Sequence, residues 1–173
     1  MDYDAIVVGG GHAGIEASLA LARLNYSTLL VTQSIDTIGR LSCNPAVGGL
    51  SKGNIVREID ALGGEMAKLI DASMIQFRIL NRSRGPAVQA PRAQADKELY
   101  ATLARQTLQN QKGLELFQDT VTDFILDAAG KKIEGIRTER GREIGCRTVV
   151  LTTGTFMEGT IFIGEYSASS GRL

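Results

Sequence analysis

The sequence predicts an α/β fold in three layers, with a parallel β-sheet and an antiparallel β-meander inserted into it. Three observations favour this fold. Short runs of β-branched and apolar residues alternate with segments of helical periodicity, as in chains that build a parallel sheet. A glycine-rich turn at residues 9–14 joins the first apolar run to the first helix. Between residues 121 and 146, short alternating segments follow one another with turn residues between them, which indicates antiparallel strands.

The glycine-rich turn lies between a short apolar run at residues 4–8 and a helical segment at residues 15–24. Gly9, Gly11 and Gly14 have the G-x-G-x-x-G spacing of a dinucleotide-binding turn. In such a turn the first glycine permits the tight bend, the second lets the backbone approach a pyrophosphate, and the third lets helix and strand pack closely. The flanking strand and helix strengthen the motif. We therefore predict a Rossmann-like FAD/NAD(P)-binding fold with the phosphates at the helix N-terminus.

A second buried strand, at residues 27–32, completes the βαβ unit. At the end of this strand, dinucleotide-binding folds usually carry an Asp or Glu that binds the ribose hydroxyls. Here Thr32 or Gln33 holds that place, and Asp36 follows four residues after Thr32. Because Thr and Gln side chains can also hydrogen-bond a hydroxyl group, we expect Thr32 and Gln33 to contact the cofactor.

Residues 33–53 are rich in glycine and small polar side chains, so we predict a long irregular loop. Long loops inside compact domains are usually functional or disordered. Two interpretations stay open, namely a backbone that approaches a flat or charged ligand and a mobile surface loop. Cys43 lies in this loop, and Arg40 and Lys52 are the nearby basic residues.

A helix is predicted at residues 54–72, with an interruption at Gly63-Gly64. Its apolar face before the glycines includes Ile55 and Leu62. A strand is expected next, at residues 74–80.

A second irregular loop, closed by Pro91, precedes a helix that we predict at residues 93–110. Four arginines lie close together before and at the start of this helix, with no acidic residue among them: Arg78, Arg82, Arg84 and Arg92. Two interpretations stay open here as well. The arginines form a solvated face, or they bind a phosphate or carboxylate group, which a guanidinium recognises with two parallel hydrogen bonds.

Residues 114–118 predict the third parallel strand. The meander is then predicted as three strands, at residues 121–127, 132–138 and 142–146. A buried strand at residues 148–152 runs into Thr153-Gly154-Thr155. If this strand lies parallel to the first one, its small-residue end lies beside the glycine-rich turn.

The composition favours an ordinary globular domain. Nineteen basic and nineteen acidic side chains give a formal net charge of zero, so the chain as a whole does not attract nucleic acid or an acidic membrane. We see no apolar run of about 18 residues and no signal peptide, and we expect no membrane association. Two cysteines do not make a disulfide framework, which favours a reducing, cytoplasmic setting, and no metal site is expected.

Eight segments in register along the chain resemble one family. They are residues 9–17 (GGGHAGIEA), 43–49 (CNPAVGG), 52–53 (KG), 58–64 (EIDALGG), 76–81 (QFRILN), 85–88 (GPAV), 92–96 (RAQAD) and 154–156 (GTF). On these motifs the chain resembles the GidA/MnmG family of FAD-dependent tRNA uridine 5-carboxymethylaminomethyl modification enzymes. The resemblance implies the FAD-binding half of a flavoprotein with two dinucleotide-binding domains.

The resemblance also implies a reaction and partners. Members of the family modify C5 of the wobble uridine in certain tRNAs, with methylenetetrahydrofolate as carbon donor, NADH as reductant and a GTPase as partner. We expect the full-length protein to bind FAD and tRNA and to form a homodimer. Alternatives stay open: a folate-dependent tRNA methyltransferase, another flavin oxidoreductase of the same fold, or a non-catalytic FAD-binding module.

Roles for individual residues follow from the motifs and the resemblance together. The residues expected to bind the cofactor are Gly9, Gly10, Gly11, His12, Ala13, Gly14, Thr32, Gln33, Val121, Thr153 and Gly154. The first six would hold the FAD pyrophosphate, and Val121 would pair its backbone with the adenine. His12 is expected to serve helix entry rather than acid–base catalysis.

Cys43 matches the Cys-Asn-Pro cysteine of the family, which implies a catalytic role at the uracil. A thiolate adds to C6 of a pyrimidine and makes C5 nucleophilic, and this requires a lowered thiol pKa. The alternative is a small buried loop cysteine. We expect Cys146, just before a buried strand, to belong to the core.

Members of the family are much longer than this chain. We therefore expect residues 1–173 to be the N-terminal, incomplete part of an FAD-binding domain, without the NADH-binding and C-terminal helical regions. A fragment, a truncated gene or a split protein would each account for this length.

Overall fold

The computed structural model describes residues 2–42 and 44–171. The strands of this part of the chain are β1 (Tyr3–Val8), β2 (Thr28–Thr32), β3 (Ala46–Gly48), β4 (Met74–Leu80), β5 (Ala90–Ala95), β6 (Leu114–Gln118), β7 (Val121–Leu126), β8 (Ile133–Thr138), β9 (Glu143–Leu151), β10 (Thr160–Ile163) and β11 (Tyr166–Ser169). The helices are α1 (His12–Arg23), α2 (Lys52–Ala61), α3 (Met66–Ser73) and α4 (Lys97–Asn110). Single 3-10 turns lie at Ile35–Thr37 and Pro86–Val88.

The large sheet has the strand order β6-β2-β1-β9-β8-β7. Its first four strands are parallel neighbours, and β7, β8 and β9 pair antiparallel as a meander. This topology confirms the predicted fold class and places residues 114–118 as a parallel strand. The prediction of separate strands at residues 142–146 and 148–152 is wrong. Both segments belong to β9, which pairs with β8 through Gly145 and with β1 from Cys146 onward, with no turn between them.

Three layers form because both faces of the central strands are covered. On one face, Val7 and Leu30 pack in a cluster with residues of all four helices. On the other face, Ile6 and Leu29 pack against the meander residue Ile136. Strand side chains alternate between the two faces, so a strand covered on both faces is a continuous apolar run. This is the reason that β1 and β2 read as uninterrupted hydrophobic segments.

Helix α4 begins at Lys97, four residues later than the sequence predicts. Residues 90–95 form strand β5 instead, so Pro91 lies within a strand and does not close a loop. Asp96 sets the boundary, because its Oδ1 accepts hydrogen bonds from the N–H groups of Glu98 and Leu99 at 3.1 and 3.0 Å. This N-cap satisfies donors that a helix start leaves without intrahelical partners.

A second, smaller sheet has the order β3-β5-β4, and two of its strands, β3 and β5, lie in segments that the sequence predicts as loop or helix. Strand β3 lies within the predicted loop of residues 33–53, and β4 matches its predicted bounds. The predicted apolar face of α2 is wrong in part, because Ile55 and Leu62 are 54% and 89% exposed. Leu62 follows the last residue of α2, so its side chain does not continue the buried face of the helix to which Val56 belongs.

The chain's last described strands, β10 and β11, form an antiparallel hairpin. It carries exposed apolar side chains, including Phe162 and Tyr166. Within residues 2–42 and 44–171, every helix is too short or too polar to cross a bilayer.

Candidate functional site

The carboxyl ends of β1, β2, β6 and β9 meet at one edge of the large sheet. In open α/β sheets this edge is where ligands bind. A cavity of about 380 Å³ lies there, and we call it the crevice. Its lining includes Val8, Gly9, Gly10, Gly11, His12, Val31, Thr32, Gln33, Thr37, Arg40, Asp119, Thr120, Val121, Thr152, Thr153, Gly154, Thr155, Phe156 and Met157.

The glycine-rich turn forms one wall of the crevice, and its three motif glycines have different surroundings. Gly9 has a φ of +112°, and a Cβ atom there would collide with the carbonyl oxygen of Thr152. A Cβ atom on Gly14 would collide with the carbonyl oxygen of Gly9. A Cβ atom on Gly11 would meet no described atom within 4 Å. The first and third glycines therefore permit close packing, and the second leaves open space in front of the backbone.

Helix α1 starts at this wall. Gly11 is its N-cap, and no side chain of the described residues caps it. The N–H groups of the first turn and the positive end of the helix dipole are therefore available to an anionic ligand. His12, the first helical residue, packs its ring against the buried ring of Tyr100, with 5.6 Å between centroids. The role of His12 in helix entry stays a prediction.

The end of β9 fixes the glycine-rich turn from the opposite side. The Oγ1 of Thr152 donates to the carbonyl oxygens of Val8 at 2.8 Å and Gly9 at 3.0 Å. The N–H of Thr152 also donates to Val8, at 2.9 Å. Thr153 and Gly154 follow and line the crevice, so the Thr-Gly strand end lies beside the glycine-rich turn, as the sequence predicts.

The place of the usual ribose-binding acid lies at the end of β2. Thr32 and Gln33 both line the crevice there, and Thr32 is only 8% exposed. The Oγ1 of Thr32 is 3.4 Å from the carbonyl oxygen of Ser34, a long hydrogen bond that a ligand hydroxyl could replace. Val121 lines the same cavity at the start of β7.

Asp119 is a residue of the crevice that the sequence analysis did not single out. It directly follows β6, the parallel neighbour of β2, and it is 4% exposed. Burial by itself would raise the pKa of its carboxyl group. Hydrogen bonds from the Thr120 N–H and the Thr138 hydroxyl, and the positive charge of Arg140, outweigh burial and lower the pKa. The sequence signal for Asp119 is its position directly after the third predicted parallel strand, the place that Thr32 and Gln33 hold at the end of the second.

Two of the expected cofactor-binding residues do not line the crevice. Ala13 and Gly14 lie in the first turn of α1, one step behind the cavity wall. Cys43, the predicted catalytic residue, lies outside the described residues. Arg40 lines the crevice, whereas the Nζ of Lys52 is 3.4 Å from the carbonyl oxygen of Ala46, and burial lowers the pKa of this lysine.

The chain matches known proteins over its whole described length. A family model described as Glucose inhibited division protein A matches residues 4–173. A curated relative from Borreliella burgdorferi (strain ZS7), the "tRNA uridine 5-carboxymethylaminomethyl modification enzyme MnmG", is 69% identical over 173 residues, which are 100% of this chain and 28% of the relative. The chain thus spans a little over a quarter of that relative's length.

Solved structures agree with this match. Aquifex aeolicus GidA is 50% identical, with a TM-score of 0.92 over 99% of this chain and 28% of that one. A GidA-related protein from Thermus thermophilus is 24% identical, with a TM-score of 0.67 over 100% of this chain and 62% of that one. At this lower identity, the likeness supports the fold alone.

Proposed function

The chain belongs to the glucose inhibited division protein A family, and from this premise we propose that it is the FAD-binding portion of an enzyme that modifies uridine in tRNA. The single observation that carries the proposal is the glycine-rich turn. Its backbone is closely packed at the first and third glycines of the motif. It is open at Gly11, where a pyrophosphate would approach. The name of the Borreliella burgdorferi relative supports the assignment to tRNA uridine.

The residues of the crevice fit FAD. The crevice has a volume of about 380 Å³, which lies within the range of about 300–1,000 Å³ that is usual for ligand pockets. Donors for the phosphates come from the backbone at the start of α1. When bound, FAD supplies the transfer of an electron pair as hydride, chemistry that side chains do not provide.

We assign the residues of this chain to binding and orientation. The backbone of residues 9–14 would hold the pyrophosphate, Thr32 and Gln33 the ribose, and the backbone of Val121 the adenine. Thr153 and Gly154 would approach the cofactor from the end of β9. Asp119 lies beside Val121 and keeps a fixed negative charge at that end of the crevice, because backbone N–H donation stabilises its ionised form.

The finer details of the reaction are part of the same proposal. We propose methylenetetrahydrofolate as carbon donor, NADH as reductant, a GTPase as partner, and a homodimer as the state of the full-length protein. Cys43 would act at the uracil, and Arg40, three positions before it in the sequence, lines the crevice. Residues 1–173 would form the N-terminal part of the FAD-binding domain.

Substitution of Gly11 tests FAD binding at the crevice. We expect Gly11→Ala to weaken FAD binding by about tenfold or more, because the added methyl group occupies the space that the backbone leaves for the pyrophosphate. Titration of the purified chain with FAD, followed by quenching of flavin fluorescence, measures this effect.

Gly85→Ala is the matched control. Gly85 also has open space around it and an ordinary φ of −61°, but it lies in the turn between β4 and β5. Equal FAD affinity of the Gly11 variant and the unaltered chain would refute pyrophosphate binding at this turn. Absence of any FAD binding by the unaltered chain would refute its assignment as an FAD-binding portion.

A further inference from the structure

We propose that the hairpin formed by β4, β5 and their connecting turn binds the phosphate backbone of RNA, with Arg78 and Arg92 at the centre of the site. This inference rests on the proposed function, because it assigns a surface to the RNA substrate. It concerns a different sheet from the crevice and a different chemical group, so the two can be tested separately. We call residues 74–95 the arginine hairpin.

Positive charge is concentrated in the arginine hairpin. The complete chain has a formal net charge of zero, with 19 basic and 19 acidic side chains. Residues 74–95 hold four arginines and no Asp or Glu, so this one hairpin carries four positive charges on a neutral chain. A local basic surface of this kind attracts a polyanion even when the whole molecule does not.

Arg78 and Arg92 lie directly opposite each other on neighbouring strands. The register of β4 and β5 pairs Arg78 with Arg92 and Gln76 with Gln94. Since partners in an antiparallel register share a face, these four side chains lie on the same face of the small sheet. They line a cavity of about 210 Å³. The described lining contains no other residue.

Like charges directly opposite each other destabilise a strand pair, so this arrangement requires a compensating interaction. Among residues 2–42 and 44–171, the ion pairs involve other basic groups and leave Arg78 and Arg92 without a carboxylate. The Nη2 of Arg78 donates instead to the side-chain oxygen of Gln76 at 3.0 Å. This bond orients the guanidinium group without neutralising it.

The lining favours an oxyanion as ligand. A guanidinium group has only donors, and the amide groups of Gln76 and Gln94 add further N–H donors. Two guanidinium groups on one face can each donate two parallel hydrogen bonds to phosphate oxygens. The cavity is smaller than the usual small-molecule pocket of about 300 Å³ or more, so it fits a single charged group better than a whole cofactor.

An RNA backbone fits the surroundings of this cavity. The small sheet places Gly48 beside Arg92 and Ala46 beside Gln94, so no long side chain covers the face from β3. Arg78 lies on the exposed strand β4, and Arg82 and Arg84 lie in the turn that follows it. The positive charge therefore continues past the cavity along an open surface, which suits a ligand with repeated phosphate groups.

The double variant Arg78→Gln with Arg92→Gln tests the proposal. The experiment measures binding of the chain to a uridine-containing RNA stem-loop by fluorescence anisotropy, over a series of KCl concentrations. We expect about tenfold weaker binding at low salt. We also expect the slope of log K against log salt to become shallower by about 1.5, since each lost phosphate contact removes about 0.7–0.9 from it.

The matched control removes two positive charges elsewhere, through Arg57→Gln on α2 with Lys131→Gln in the turn between β7 and β8. This control is expected to keep the salt slope of the unaltered chain within about 0.5. The variant Arg78→Lys with Arg92→Lys keeps the charges, and we expect it to keep the slope while binding about threefold less tightly, because lysine lacks the bidentate geometry. Urea unfolding midpoints of the glutamine variant should equal or exceed that of the unaltered chain, since an opposed charge pair is removed.

Three results would overturn the assignment. They are an unchanged salt slope in the glutamine variant, an equal loss in the matched control, and binding of inorganic phosphate without binding of the RNA. Flavin titration of the same variants separates this proposal from the previous one. RNA binding that depends on Arg78 and Arg92 supports the RNA-binding proposal even if the chain fails to bind FAD. FAD binding without such RNA binding supports the proposed cofactor site and refutes the RNA-binding proposal.

Discussion

The large sheet and the small sheet both contain a glycine of positive φ where two backbone segments come close together. The two regions differ in the partners of their charged side chains. Gly9 on the large sheet and Gly48 on the small sheet both have positive φ, +112° and +133°. A Cβ atom on either would collide with a backbone carbonyl oxygen, that of Thr152 for Gly9 and that of Pro91 for Gly48. In both places a glycine lets two backbone segments approach closely.

The charges of the two regions differ. In the crevice, neighbouring donors and the positive charge of Arg140 lower the pKa of the Asp119 carboxyl group, while its buried Oδ2 has no hydrogen-bond partner among the described residues. On the small sheet, Arg78 and Arg92 oppose each other with no carboxylate partner among the described residues. Donors that stabilise an ionised carboxylate contribute to the stability of the fold, whereas two guanidinium groups without a carboxylate partner are available to an anionic ligand. The two regions therefore differ in that neighbouring protein groups stabilise the charge of Asp119 and leave the charges of Arg78 and Arg92 without a counter-charge.

The largest expected effect on the free energy of unfolding distinguishes Gly9 from Gly48. We expect Gly9→Ala to lower the free energy of unfolding by about 3 kcal/mol or more, from backbone strain and overpacking between two central strands. Gly48→Ala should cost less, about 1–2 kcal/mol, because β3 is a three-residue edge strand that can move away from β5. Urea unfolding followed by circular dichroism measures both. Equal losses would contradict the distinction, and Gly85→Ala should stay within about 0.5 kcal/mol of the unaltered chain.

An intermediate effect is expected where the small sheet joins the helical layer. Asp96 connects β5 to α4, and its Oδ1 caps the helix. Asp96→Ala should lower the free energy of unfolding by about 1 kcal/mol. Asp96→Asn should retain most of the stability, since its side-chain oxygen can still accept the same hydrogen bonds. If both variants lost the same amount, the charge and not the cap would be the source of the stability.

The smallest effect depends on pH and concerns Asp119. Because its pKa is lowered in the folded chain, its contribution to stability is present above the ordinary value of 3.8 and is lost as the pH falls through the lower folded value. We expect Asp119→Asn to be less stable than the unaltered chain at pH 7, and the difference to shrink below pH 3.8. Urea unfolding at several pH values measures it. Asp36→Asn, which changes a side chain that is 94% exposed, is the control; a pH-independent difference for Asp119→Asn would contradict the linkage.

Local patterns were sufficient for the first βαβ unit of the large sheet. The glycine spacing and the apolar runs of β1 and β2 predicted this unit, because strands that are covered on both faces are continuous apolar runs. The meander was recognisable from its alternation. The family resemblance was also confirmed, since a family model matches residues 4–173.

The small sheet could not be predicted in the same way. Residues 90–95 contain alanine and glutamine, which suit a helix, and they form β5 only because β3 and β4 pair with it from either side. The same pairing moved Pro91 into a strand and delayed the start of α4. The residue pattern of one segment does not show which other strands pair with it, and here that pairing decides the structure.

The sequence by itself determined the glycine-rich turn, the parallel core and the family, because each depends on residue types at fixed spacing. The tertiary structure decided three further features, of which only the first had a signal in the sequence. It brought Asp119 into the crevice beside Thr32, since parallel neighbours end at one sheet edge. It joined two predicted strands into β9, since both halves find partners along one line. It also placed Arg78 opposite Arg92, because antiparallel register brings together residues that are fourteen positions apart in the chain.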